Sequence, residues 1–373
     1  MGHQEWGTEQ KPVGGWRSAA SRSSASAPRR AGWALALLLA AAPAMAQAPG
    51  AFFRMGMGAR SLAVPSQVAD RSGYASPYLN PALAPFTAAQ GVELTAGRLA
   101  FGRSWEGVQV AAPLQPASGF AGGVIHGGID GIDGRDASGY PTSGQNEDGT
   151  LRADEYAFFA AFGTQFSSRV SAGVGLRLYR NQLFEGTRAP TAIGISLGTT
   201  AQLTDRVSAG VVVDDLFARY EWSSTGSASA SATDYFPVRV RGGLAYAAGD
   251  RGEGRPRLTV AAEGELFVQP AEARRFDGVD VIVTDVSQST TTLEVTLADV
   301  QGRVGGEYWL TDGFAARLGL DRIGAGEAGE LRPSAGFGIE QRVGELDLRV
   351  DYTAVVEPFG SALMHMATVR LGL

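Results

Sequence analysis

From Val92 to Leu373 the apolar residues recur at every second position. That period builds strands with one apolar face, whereas an amphipathic helix needs apolar residues every three or four positions. In Val170-Ser171-Ala172-Gly173-Val174-Gly175-Leu176-Arg177-Leu178-Tyr179, one face carries Val, Ala, Val, Leu and Leu, and the other Ser, Gly, Gly, Arg and Tyr. The runs 314–321 and 346–353 repeat the pattern. Fourteen such segments follow one another: 92–102, 105–114, 119–127, 153–166, 169–180, 190–203, 206–214, 235–248, 256–268, 300–310, 313–322, 331–343, 345–356 and 363–373. Their length suits a tilted strand crossing a bilayer, which needs about 9–11 residues. Strands of soluble sandwiches usually have about 5–6.

The connections constrain the chain further. After even-numbered segments they are short (115–118, 167–168, 204–205, 249–255, 311–312 and 344), and the long ones all follow odd-numbered segments (128–152, 181–189, 215–234, 269–299 and 323–330). Bilayer-spanning barrels sort their connections in this way, with short periplasmic turns and long external loops. A sandwich has no reason to do so. The expected fold is therefore all-β: a transmembrane antiparallel β-barrel of about 14 strands spanning residues 91–373, preceded by a short N-terminal helical or looped plug.

The two faces of the segments support this reading. Charges of both signs gather on one face: Arg177, Asp214, Arg239, Arg241, Arg257, Glu263, Glu265, Arg303, Glu307, Arg317, Asp321, Glu340, Arg342, Asp347, Arg349, Asp351 and Arg370. A basic residue on the lipid face near the midplane costs about 2–4 kcal/mol, so these residues are expected to line a lumen, where carboxylates and water can satisfy them. The opposite face is expected to contact outer-membrane lipid. Many of the 51 glycines share the charged face, so inner material can pack closely against the wall. Phe158, Phe159, Tyr179, Phe217, Tyr220, Trp222, Tyr235, Phe236 and Tyr308 fall near segment ends. They read as interfacial girdles, with core aromatics as the alternative.

Ahead of the barrel, residues 1–46 hold basic residues up to Arg30, an apolar run from Trp33 and Ala44-Met45-Ala46. This is the order of an export signal peptide cleaved after Ala46. Composition excludes several function classes. With no Cys and only three His, disulfides, thiolate metal sites and Cys nucleophiles are ruled out and a multi-His site is not expected. The formal net charge of −6 provides no basic field for nucleic acid. Gly194-Ile195-Ser196-Leu197-Gly198 matches G-x-S-x-G, yet it lies inside an alternating strand rather than on a strand-to-helix elbow. The acidic stretch Asp130, Asp133, Asp136, Asn146, Glu147 and Asp148 misses the calcium-loop spacing and reads as a solvated loop. No catalytic residue, cofactor or metal is expected.

Residues 47–90 do not alternate, and Pro65, Pro77, Pro81 and Pro85 exclude a long helix or a central strand. Phe52, Arg54, Gly56, Gly58, Ala59, Arg60, Ser61, Leu62 and Ala63, followed by Tyr78, Asn80, Pro81, Ala82, Leu83 and Ala84, resemble the two motifs that open the PorV/PorQ family, a branch of the FadL-like outer-membrane barrels. The run at 128–136 is similar to that family's first long loop. The sequence departs from the family at Pro65-Ser66-Gln67, Arg71, Leu79 and Leu373.

The resemblance implies residence in the bacterial outer membrane, no enzymatic activity and a 47–90 segment acting as plug or hatch. Arg54, Arg60 and Asn80 are the best positions for holding that segment. It also implies a role in type IX secretion, binding the C-terminal domains of secreted cargo or secretion-complex proteins. The external loops at 128–152, 215–234 and 269–299 would be the contact surfaces, with Asp130, Asp133, Asp136, Tyr220 and Trp222 as candidate contacts. The alternatives are FadL-like uptake of hydrophobic small molecules, with a lateral opening in the wall, and a purely structural barrel. The lumen charges, led by Arg177, Arg239, Arg241, Glu263, Arg317, Asp347, Arg349 and Asp351, argue against a greasy conduit and tilt the sequence reading toward partner binding.

Overall fold

A computed structural model describes residues 49–373, except 136–138, 141–149, 184–188, 224–230, 253–254, 283–284, 325–330 and 358–361. The expected signal peptide therefore lies outside the described residues. Three short helical turns come first: a 3-10 turn at Phe52–Met55, α1 at Ala59–Ala63 and a second 3-10 turn at Pro81–Phe86. Sixteen strands follow: β1 Gly91–Arg98, β2 Arg103–Leu114, β3 Ser118–Ile132, β4 Leu151–Gln165, β5 Val170–Gln182, β6 Thr191–Gln202, β7 Val207–Leu216, β8 Arg219–Ser223, β9 Ser231–Tyr235, β10 Val238–Ala248, β11 Leu258–Ile282, β12 Asp285–Thr311, β13 Phe314–Ile323, β14 Arg332–Val343, β15 Leu346–Val356 and β16 Leu363–Gly372.

Fourteen of these strands close into an antiparallel barrel, sealed where β1 pairs with β16. β8 and β9 form a separate two-stranded hairpin in the connection from β7 to β10. The described barrel strands match the expected segments to within a few residues, apart from two differences. The first connection is a tight turn as the segments imply, but it lies at 99–102, earlier than the end of the 92–102 segment. The segment 269–299, expected as a loop, is instead a continuation of β11 and β12, paired from Val268↔Ala298 out to Ile282↔Asp285. Its Leu293-Glu294-Val295-Thr296-Leu297 run keeps period two, so the same hydrogen-bond ladder runs on past barrel height.

Alternation decides what each face meets. Val92, Leu94, Val108, Val110, Phe158, Phe162, Val174, Leu176, Leu178, Ile193, Leu197, Leu244, Val260, Val304, Leu318 and Val369 are large, apolar and exposed, forming a belt around the outside. The intervening residues point inward and are mostly buried, because residues 49–90 thread the lumen. Ala59 N–H donates to Thr368 Oγ1 on β16 at 2.7 Å, and Ala82 O accepts from Ser171 Oγ on β5 at 2.8 Å. Val68 N–H donates to Glu263 on β11 at 3.2 Å. Inward glycines let the plug backbone touch the wall. A Cβ at Gly163 or Gly173 would run into the Pro81 backbone, and one at Gly319 into the Ala63 carbonyl.

Candidate functional site

The lumen has two chemically distinct regions. At the long-loop end lies an apolar cluster. The plug contributes Phe53, Met57, Leu62 and Tyr78, and the wall contributes Leu99, Trp105, Ile125, Phe159, Tyr179, Val355, Met364 and Met366. Tyr179, Val355, Met364 and Met366 sit toward the strand ends on that side, Leu99 and Trp105 lie at the tight turn between β1 and β2 on the same side, and Ile125 and Phe159 lie near the middle of β3 and β4. The β8–β9 hairpin and the approach to β10 cover this chamber with Tyr220 and Phe236, both buried. The rings interlock: Phe53 lies 5.3 Å from Tyr179, Tyr179 stacks on Phe236 at 4.6 Å, Tyr220 meets Phe236 edge-on at 4.9 Å and Tyr78 meets Phe159 at 4.8 Å. Offset and edge-on contacts of this kind are the arrangements aromatic rings favour.

Phe159, Tyr179, Tyr220 and Phe236 are therefore lumenal and do not belong to an interfacial girdle. Phe158, Phe217 and Tyr308 are exposed. The inward rings could have been found from register: Tyr179 is two residues from Arg177 and so shares its face, and Phe159 pairs directly with Arg177 across β4 and β5. Tyr220, expected as an external-loop contact, has no exposed surface. Trp222 is half-buried and donates from its indole N–H to Asp234 at 2.6 Å. Asp130 and Asp133 stay at the exterior, each 3.5 Å from an arginine (Arg152 and Arg135). Asp136 lies outside the described residues.

Beside and below the chamber, lumen charges are bound to one another and to the plug. On β5, β7 and β10, Asp214 faces Arg177 at 3.1 Å and Arg241 at 2.7 Å. Arg239 lies 3.4 Å from both Asp215 and Glu265. Arg303 pairs with Glu265 and lies 3.5 Å from Glu263. Arg177 donates to the Tyr78 carbonyl at 2.7 Å, with its guanidinium over the Tyr78 ring, and Arg241 donates to the Leu79 carbonyl. A second group centres on Glu307, which binds Arg317 at 2.5 Å and Arg60 of the plug at 3.0 Å. Arg317 also reaches Asp351 at 2.7 Å, and Asp351 accepts from Arg349 at 3.0 Å. Asp347, expected in the lumen, lies instead at the short-turn rim, partly exposed and 3.9 Å from Arg342.

The motif residues are the ones that hold the plug. Arg60 donates to Glu307 through two nitrogens, to Asp70 at 2.8 Å and to Gln67 at 3.1 Å. Burial opposes its charge, but Glu307 and Asp70 outweigh that and hold its pKa above the usual range. Asn80 caps the second 3-10 turn, accepting from Ala82 N–H at 3.0 Å, and donates to the Val68 carbonyl at 2.8 Å. Pro81 follows as the first residue of that turn. Gly56 and Gly58 have φ of +96° and +84°, values that favour glycine. Tyr78 donates its hydroxyl to the Phe53 carbonyl at 2.7 Å, and Trp105 donates to the Phe52 carbonyl at 3.1 Å. Arg54 donates to the Pro49 carbonyl at 2.7 Å; burial and then the charge of Arg239 lower its pKa to about 10.

Two adjoining cavities of about 10 Å³ lie between plug and wall, sharing Tyr74, Ser76, Glu93 and Arg370. Each has room for about one water. Among the described residues, no group of three or more acidic, His or Cys side chains is placed to hold a metal ion. Ser196 is buried in β6 between its two glycines, with no elbow.

No family model matches the chain, and no curated protein matches it in sequence. Solved structures do match its fold. The Pseudomonas putida toluene transporter TodX aligns with a TM-score of 0.52 at 13% identity, over 85% of this chain and 96% of its own. The Ralstonia pickettii toluene transporter TbuX gives 0.53 at 12%, over 85% and 97%. A Pseudomonas aeruginosa FadL homologue gives 0.52 at 12%, over 84% and 97%. The fold is that of the FadL-like outer-membrane barrels.

Proposed function

We propose that this protein resides in the bacterial outer membrane and admits small hydrophobic compounds. The observation that carries this reading is the chamber: an aromatic- and methionine-rich cluster packed at the long-loop end between the wall, a covering hairpin and the plug. The outer apolar belt suits a lipid environment, since a closed barrel satisfies its backbone hydrogen bonds internally. The short-turn end then faces the periplasm and the long-loop end the exterior. The lumen charges do not oppose this reading. Most are consumed in ion pairs with one another, Glu307 also binding Arg60 of the plug, and the chamber beside them is greasy. The toluene transporters that share the fold point to the same substrate class. Because the plug backbone packs directly against the wall, passage requires the plug to shift.

The experiment is uptake of labelled naphthalene by bacteria that lack other hydrophobic channels, with and without this chain. Faster uptake with the chain supports the reading, and equal uptake removes it.

A second reading, PorV/PorQ-like binding of secreted cargo, is favoured by the match at 52–63 and 78–84. Those residues are, however, accounted for by their work on the plug. Its test is a pull-down from solubilised outer membranes. Recovery of secreted proteins sharing a C-terminal domain would favour cargo binding over uptake.

A further inference from the structure

The chamber has one polar corner whose hydrogen-bonding groups are only partly used. Glu155 on β4 lies opposite Asn181 on β5 in the strand register, and Asn181 Nδ2 donates to Glu155 Oε1 at 3.0 Å. The second oxygen of each group, Glu155 Oε2 and Asn181 Oδ1, is buried without a hydrogen-bond partner among the described residues, and so is Tyr220 Oη. Asn181 is 7% exposed and Tyr220 0%. Burial pushes the Tyr220 pKa up and the charge of Glu155 pushes it further, so the hydroxyl stays protonated and lies within the field of the carboxylate. Around this corner stand the rings of Phe236, Tyr179 and Phe53.

Buried polar atoms are nearly always paired, and an unpaired one calls for an explanation. An amide oxygen only accepts, whereas a carboxyl group and a phenol hydroxyl can each donate or accept. The cation whose field reaches Glu155 is Arg54, which already donates to Pro49 O and has Asp215 and Glu265 as further acidic neighbours.

We infer that Glu155, Asn181 and Tyr220 form a ligand subsite for an apolar ring bearing a hydrogen-bond donor, the class of the phenols and aromatic alcohols. The ligand hydroxyl donates to Glu155 Oε2 or Asn181 Oδ1, and Tyr220 Oη donates to the ligand oxygen. An aromatic carboxylate is disfavoured, because it offers no donor to Asn181 Oδ1 and its charge would be taken out of water in a buried corner. This subsite rests on the uptake reading and specifies its substrate class.

The test is equilibrium binding of naphthalene, naphthol and naphthoate to the purified full chain in detergent. Naphthol is expected to bind roughly tenfold more tightly than naphthalene, with naphthoate weakest. In a Glu155→Met/Asn181→Leu/Tyr220→Phe variant the naphthol preference is expected to vanish while naphthalene affinity is kept, which shows the chamber intact. If that variant does not fold, the ranking of the three ligands on the native chain decides alone. Naphthol binding no tighter than naphthalene, or naphthoate binding tightest, overturns the subsite and leaves uptake standing. Failure of all three to bind overturns both.

Discussion

Replacing Arg60 by Ala should release the plug while leaving the barrel closed. Arg60 is 5% exposed and is the plug's main ionic tie to the wall, through Glu307. Removing one partner of a buried ion pair costs about 3–5 kcal/mol. Glu307 keeps Arg317 at 2.5 Å and Arg349 at 3.7 Å, so the barrel side is largely protected. Asp70 loses the one cation that pairs with it among the described residues. The cost therefore falls on plug docking, at the lower end, about 3 kcal/mol. The chain has no Cys, so Ser66→Cys, at a position 1% exposed in the plug, is a unique reporter. At about 1.4 kcal/mol per factor of ten, maleimide labelling should accelerate about 100-fold when Arg60→Ala is added. Adding Asp70→Asn should recover part of the protection by removing the stranded charge. The reasoning fails if labelling changes less than threefold while heat-modifiable migration is preserved.

Three further perturbations probe other parts of the account. Gly173→Val should push Pro81 off the wall and raise the same labelling rate, whereas Gly264→Ala, with no atom within 4 Å of its added Cβ, should be neutral. Phe53→Ala removes a buried ring from the chamber at a cost of about 3–5 kcal/mol to plug docking; cells carrying it should take up naphthalene faster, and slower uptake would count against the chamber as the route. Leu318→Arg, at a belt position 70% exposed near the middle of β13, should cost about 2–4 kcal/mol in refolding into lipid vesicles. Val343→Arg, at the short-turn rim of β14, should cost about 0–1 kcal/mol. Equal penalties would mean that the belt does not sit across a bilayer.

The barrel was legible because alternation and loop sorting are written locally, one strand at a time. The extended β11–β12 ladder was missed because a loop was expected wherever the chain passed bilayer height, although Leu293, Val295 and Leu297 keep the strand period. The chamber was harder to read. Phe158 and Phe159 are adjacent, so one ring must face out and the other in, and only the pairing of Phe159 with Arg177 says which. Tyr220 is buried by a hairpin that folds over the mouth, a tertiary event with no signature in its neighbours. Glu155 and Asn181 carry no motif and become a pair only through register. The lumen charges were visible, but not the ion pairing that stops them from making the lumen polar.

The most direct measurement is naphthalene uptake by cells carrying the native chain, the Arg60→Ala chain or no chain. The account predicts that the native chain exceeds the empty cells and that Arg60→Ala exceeds the native chain, because freeing the plug opens the path below the chamber. Uptake equal to that of empty cells for both chains would contradict it.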